Sequence, residues 1–214
     1  IEALEKLKEL SGITPELWVC DMHPSFNTTK TAENKAREII KTKASNNSSN
    51  AVSSNLLRVQ HHHAHICSCM ADNMLPLDSC VLGVVLDGVG FGTDGTVWGG
   101  EILKCTYTDF ERLAHFKQQP MAGGDTATYF PARMVYGCLF EPLSKTGNLD
   151  DLISCKSLYF KHGEIEKKAV LSLLKREENI VKTSSAGRIL DSVSSILGLG
   201  DTRTYDGEPA MKLE

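Results

Sequence analysis

Apolar positions recur along this chain with two different periods, and their succession predicts a mixed α/β fold. In residues 2–10, EALEKLKEL sets Leu4, Leu7 and Leu10 at helical spacing with charges between them, ahead of a break at Gly12. The run ELWVCDMHP reads as a buried strand that ends in a polar Asp-x-His-Pro turn. TAENKAREIIKTKA then reads as a helix with Ala36, Ile39 and Ile40 on one face. The polar stretch SNNSSNAVSSN has nothing to bury and is expected to be a surface loop. LLRVQ resumes as a strand, and HHHAHICSCMADN fits a helix that follows it directly.

The most strand-like block is CVLGVVLDGVGFGTDGTVWGGEILKC, where two apolar runs flank a stretch rich in Gly and Asp. That is the pattern of adjacent antiparallel strands around a special turn. Further on, GEIEKKAVLSLLKREEN carries Ile165, Val170, Leu173 and Leu174 on a helical stripe. SSAGRILDSVSSILGLG is a helix with serine cap candidates, an apolar stripe of Ile189, Val193, Ile196 and Leu197, and a stop at Gly198. No repeat period is visible.

Composition narrows the class. With 214 residues, 41% of them hydrophobic and 23% charged, the chain can bury a sizeable core as one large or two small domains. A net charge of -4 with mixed signs gives no footprint for nucleic acid or a membrane surface. Seven scattered cysteines without a CxxC pair indicate a reducing compartment, so a cytoplasmic location is expected. The Asn27, Asn46 and Asn47 matches to the glycosylation pattern carry no weight on that reading. No window approaches the roughly 18 apolar residues of a membrane span. The chain opens on Ile1 and closes on GEPAMKLE, which reads as the start of a helix, so it is expected to be a piece of something longer.

Candidate chemistry concentrates in two places. QHHHAH holds four histidines in five positions, and on a helix His61 and His65, four apart, stack on one face and can hold one metal ion. Satisfied core or surface imidazoles explain that spacing equally well. Two imidazoles do not complete a site; a carboxylate and water would, and such sets suit Fe(II) or Zn(II). The second place is LDGVGFGTDG, with Asp87, Gly88, Gly90, Gly92, Thr93, Asp94 and Gly95 assigned to the turn between two strands. Its glycines allow close approach of backbone N–H groups to phosphate oxygens, and an Asp at a strand end can bind the accompanying cation; an ordinary Gly/Asp hairpin fits equally well. Neither the Walker loop nor the Rossmann fingerprint is present.

Three weaker stretches are MAGGDTA with Gly124 and Asp125, SSAGRILD with Gly187 and Asp191 at a helix N-terminus, and YDGEPA with Gly207 and Glu208 entering a helix. Plain turns and caps account for each of them alone. Nucleophile elbows, HExxH and paired catalytic carboxylates are lacking.

Taken in order, CDMHPSFNTT, VQHHHAHICSCMADN, VLDGVGFGTDGTVWGGE, MAGGDTATYFPARM, SSAGRILDSVSSILG and YDGEPAMKLE resemble the carbamoyltransferases of nickel–iron hydrogenase maturation, the HypF family. The resemblance implies an actin-like ATPase (ASKHA) fold of two α/β lobes, with residues 1–110 as the first lobe and 111–214 as the start of a truncated second lobe. It implies His61, His65 and Asp87 as ligands of iron or zinc and as catalytic residues. Gly88, Gly90, Gly92 and Thr93 would form a phosphate loop, with Gly124, Asp125, Gly187, Asp191, Gly207 and Glu208 lining a pocket for ATP, AMP or carbamoyl-adenylate. The implied reaction moves a carbamoyl group, derived from carbamoyl phosphate and ATP, to a cysteine thiol of a HypE-like partner protein. An O-carbamoyltransferase of small-molecule biosynthesis, or a non-catalytic nucleotide-binding domain, would share the same motifs.

Overall fold

The computed structural model describes residues 2–45, 55–155, 157–176 and 180–214, leaving aside the side chains of 42–45. Residues 46–54 of the polar loop, with Asn46 and Asn47, and the last three residues of the helix expected from the sequence over 163–179 lie outside them. The chain forms two compact units, Ile1–Ala64 and His65–Glu214.

In the first unit, α1 (Glu2–Ser11) has no buried residue, and Leu7 and Leu10 are exposed. Strand β1 (Trp18–Asp21) is followed by α2 (Asn27–Ser45) and β2 (Leu56–Val59), and the two strands pair in parallel with Asp21 opposite Val59. A parallel pair needs a crossover, which α2 supplies while burying Thr29, Ala32 and Ala36. The buried strand expected at ELWVCDMHP is only half buried, since Val19 is 58% exposed. A two-stranded sheet flanked by one helix leaves the other strand face open. Helix α3 (His61–Asp72) begins one residue after β2, as the sequence predicts, and the division between the units falls inside it.

The second unit contains β3 (Val81–Phe91), β4 (Val97–Cys105), β5 (Phe110–His115), β6 (Gln119–Met121), α4 (Thr126–Tyr129), α5 (Ala132–Thr146), α6 (Leu149–Ser154), α7 (Gly163–Arg176), β7 (Val181–Thr183), α8 (Ala186–Ile196) and α9 (Glu208–Leu213). Its sheet runs β3-β4-β7-β6, with β5 also on β4. The antiparallel β3–β4 pair is the one the hydrophobic pattern predicts. The expected lobe boundary near residue 110 falls at the start of β5, whose ladder with β4 keeps both strands in this unit. One core cluster packs Ile66 and Met70 of α3 onto Val85, Trp98, Leu103 and Cys105 of the sheet. A larger one joins α5, α6 and α7 through Val135, Tyr136, Leu152, Val170 and Leu174.

Two details depart from the sequence reading. Asp87, Gly88 and Gly90 lie inside β3 and not in a turn; the register slips between Leu86 and Gly90, so these residues form an irregularity in the ladder, and the turn proper is Gly92–Thr96. Helix α8 buries its polar side, Arg188, Asp191, Ser192, Ser194 and Ser195, and exposes the predicted stripe at Val193, Ile196 and Leu197.

Candidate metal centre

Helix α3 is capped by the side chain of the residue before it. Gln60 Oε1 accepts the backbone N–H of His63 at 2.9 Å, which satisfies one of the orphan donors of the first turn. That bond fixes the amide orientation, so Gln60 Nε2 faces His62 Nδ1 at 3.2 Å. An amide NH₂ only donates, so His62 Nδ1 accepts and the ring proton lies on Nε2. His62 and His63, the two histidines of the cluster that do not share the His61–His65 face, are both buried, at 0% and 7% exposure.

His61 and His65 lie one turn apart on the same face of this unbroken helix. One ring nitrogen of each and one carboxylate oxygen of Asp87 lie within 4.8 Å of one another. Among the described residues this is the only group of three or more His, Cys, Asp or Glu donors so arranged. Ligands bound at ~2.1 Å in tetrahedral geometry stand about 3.4 Å apart, so the donor set fits one ion after a contraction. Two imidazoles and one carboxylate leave positions open, as catalytic centres do, and suit Zn(II) or Fe(II). His65 is exposed, so the group is accessible from outside.

Asp87 is held where it is by neighbours in the second unit. Its Oδ1 accepts the N–H of Gly88 at 2.6 Å. Ser185, the N-cap of α8, donates its hydroxyl to the carbonyls of Asp87 and Gly88 at 3.0 and 2.7 Å and accepts from Arg188 N at 3.1 Å. The approach requires glycine at two points. A Cβ at Gly187 would lie 2.8 Å from Gly88 Cα, and one at Gly99 would lie 2.5 Å from the Asp87 carbonyl oxygen. A groove of about 680 Å³ runs between α3 and β3 and is bounded by His65 and Asp87 as well as Ile66, Met70 and Leu86.

The remaining predicted residues are placed less directly. Gly88 and Gly187 are brought together, as just described. Asp94 binds its own turn, accepting from Thr96 and Trp98 Nε1 and pairing with Arg112 at 3.0 Å. Gly124 and Asp125 form the turn into α4, with Gly124 at φ 56. Gly207 opens α9 at φ 78, and Glu208 is engaged by Lys212 at 2.7 Å and by Thr204, which together hold its carboxyl down at about 2. Sequence reasoning missed Asp21 and Gln60, and it marked Ser185 and Arg188 only as residues of a helix N-terminus that could take an anion. The polar residues that close CDMHP and VQ at the ends of two neighbouring strands were the available signal for the first two.

Comparison with known proteins identifies the family. Residues 83–214 match the family profile described as carbamoyltransferase, Kae1-like domain, second subdomain, and residues 1–72 match that of the HypF Kae1-like domain. The probable carbamoyltransferase HypF of Methanocaldococcus jannaschii is 37% identical over 92% of this chain and 23% of its own length. A HypF homologue of Cupriavidus necator is 34% identical over 91% of this chain and 44% of its own. The crystal structure of T. kodakarensis HypF superposes with a TM-score of 0.78 at 39% identity, covering all of this chain and 27% of that one. That of a full-length HypF in a phosphate- and nucleotide-bound form gives 0.77 at 33% identity, over 99% of this chain and 24% of the other. The chain thus spans less than half the length of these relatives. It belongs to the HypF carbamoyltransferase family, as a stretch of the family's Kae1-like domain.

Proposed function

We propose that the intact protein carries out carbamoyl transfer from carbamoyl-adenylate, formed from carbamoyl phosphate and ATP, to a cysteine thiol of a HypE-like partner in hydrogenase maturation, and that this chain supplies the metal-binding side of the transfer site. The observation that carries the reading is the convergence of His61, His65 and Asp87. His61 and His65 would present imidazole nitrogens, and Asp87 a carboxylate oxygen, to zinc or iron. The ion would supply Lewis acidity toward the carbamoyl carbonyl and neutralise phosphate charge.

The chain's own residues do the rest. Ser185 and the glycines at 99 and 187 keep Asp87 and Gly88 in place, so the carboxylate is preorganised. The acceptor thiolate attacks the carbamoyl carbon, the S–C bond forms, the C–O bond to phosphate breaks and AMP leaves; the thiol proton passes to solvent. No nucleophile is required of this chain, in keeping with its lack of a nucleophile elbow. Asp191 is buried, and the Glu208 carboxylate is engaged by Thr204 and Lys212. A solved relative described in a phosphate- and nucleotide-bound form supports a nucleotide as ligand.

The architecture we assign is the actin-like ATPase fold of two α/β lobes; the parallel β1–β2 pair with its α2 crossover and the mixed sheet of β3 to β7 with its helices are the α/β features that support it. The seven cysteines are all free thiols, which suits a reducing cytoplasm, and no helix among the described residues is long and apolar enough to cross a membrane.

The test is the double substitution His61→Ala with His65→Ala in the intact protein. Zinc and iron content should fall to background, and transfer of the carbamoyl group to the acceptor cysteine, read by mass spectrometry, should drop at least ~100-fold. Unchanged turnover would sink the assignment.

A further inference from the structure

We propose that Asp21 is a positioning residue for the metal centre, holding His61 in the tautomer and orientation that leave its Nε2 lone pair for the ion. The inference rests on the metal reading above and adds a residue to it. His61 Nδ1 lies 2.9 Å from Asp21 Oδ2. A carboxylate accepts and does not donate, so the shared proton belongs to Nδ1, and in the neutral imidazole that binds a metal the lone pair is then on Nε2. The neighbouring ring shows that the tautomers are set one by one, because Gln60 gives His62 the opposite one.

Asp21 is itself fixed. Its Oδ1 accepts the backbone N–H of His23 at 2.8 Å, and its side chain is 18% exposed. It closes β1, and the parallel register with β2 places it opposite Val59, two residues before His61. Two parallel strands therefore deliver, at the same end, a carboxylate and the histidine it orients. This is a carboxylate–histidine–metal arrangement, in which the outer carboxylate fixes the ring and raises the basicity of the ligating nitrogen. The Asp-x-His-Pro turn thereby acquires a role: His23 supplies the amide that aims Asp21.

The experiment uses the intact protein with histidine labelled in its ring nitrogens. In the metal-free wild type, His61 should show the Nδ1–H tautomer. Zinc affinity, measured by competition with a chromophoric chelator, should fall ~10–100-fold in Asp21→Ala. Asp21→Asn is isosteric and can give His23 its oxygen, but it then presents NH₂ to His61; the ring proton moves to Nε2, and zinc affinity should fall at least as far as in the alanine variant. Thermal melts report whether either variant is folded, and the wild-type tautomer decides the matter even where one is not. An Nε2–H tautomer in the wild type, or a folded Asp21→Asn protein that binds zinc within about threefold of the wild type, overturns the inference while leaving the metal centre standing. A wild type that takes up neither zinc nor iron overturns the metal reading itself.

Discussion

Two charged pairs of the second unit, Arg112–Glu101 and Arg188–Asp191, are satisfied in contrasting ways. Around Glu101 nothing is left over: Arg112 Nε donates to it at 2.7 Å, the N–H groups of Gly99 and Gly100 at 3.0 and 3.2 Å, and the Ser184 hydroxyl completes the set. Arg112 also lies over the Trp98 ring, 4.0 Å from its centroid. In α8, by contrast, Arg188 Nη2 lies 2.8 Å from Asp191 Oδ2 as a charge contact, while Arg188 Nε, both Asp191 oxygens and the hydroxyls of Ser194 and Ser195 are buried without a hydrogen-bond partner among the described residues. The carboxyl groups answer accordingly. Burial pushes Glu101 up, but Arg112, Ser184 and the two amides outweigh it and hold the group below its ordinary value. Burial also pushes Asp191 up, and there Arg188 does not compensate. One pair has its polar groups satisfied and serves the fold; the other is under-satisfied and is costly where it stands.

The largest break in this contrast is Arg112→Ala. It strands a carboxylate with a fully buried side chain, and removing one partner of a buried pair costs roughly 3–5 kcal/mol. Chemical denaturation of the intact protein should read a loss of that order; a loss below about 1 kcal/mol would show the network to be ornamental. Acid sharpens the same point. Glu101, with a lowered folded pKa, contributes stability present above about 4.5, its ordinary value, and lost as pH falls through the folded value. Asp191, with a raised pKa, behaves in the opposite sense and relieves its cost as pH falls toward 3.8. The stability gap between wild type and Glu101→Gln should therefore close on acidification.

A smaller effect is expected at the under-satisfied pair. Replacing both members with apolar residues, Arg188→Met with Asp191→Leu, removes two incompletely bonded charges and should change stability by no more than about 1 kcal/mol, or raise it. The same treatment of Glu101 and Arg112 should destabilise by several times as much, since it also discards the amide and hydroxyl bonds. Equal costs at the two sites would erase the distinction.

The elements carrying the metal cluster were legible in the sequence because they are local. Spacing gives the His61–His65 face, and the β3–β4 pair follows from its apolar runs. Burial sense was not legible. In α8 the amphipathic pattern is strong, yet it buries its polar side, because the helix packs on α5, α9 and the β3–β4 strands, neighbours its own periodicity does not reveal. Helix α5 was hidden by Gly137 and Pro142; the glycine is there because a Cβ would fall 2.1 Å from the Pro120 carbonyl oxygen. The Asp-x-His-Pro turn was visible but the partner of Asp21 was not, since only the parallel register of β1 and β2 brings it to His61.

The smallest expected effect separates fold from site at Ser185, which stands between the two pairs. Its hydroxyl does two jobs, capping α8 through Arg188 N and clamping the Asp87 and Gly88 carbonyls. Ser185→Ala loses both and should cost about 1 kcal/mol. Ser185→Gly is tolerated at an N-cap to within a few tenths of a kcal/mol, so it restores most of the stability but none of the clamp. Zinc affinity should then stay reduced in the glycine variant although its stability has recovered. If the two quantities recover together, Ser185 matters to Asp87 only by keeping α8 folded; if affinity lags, the clamp itself holds the carboxylate in position.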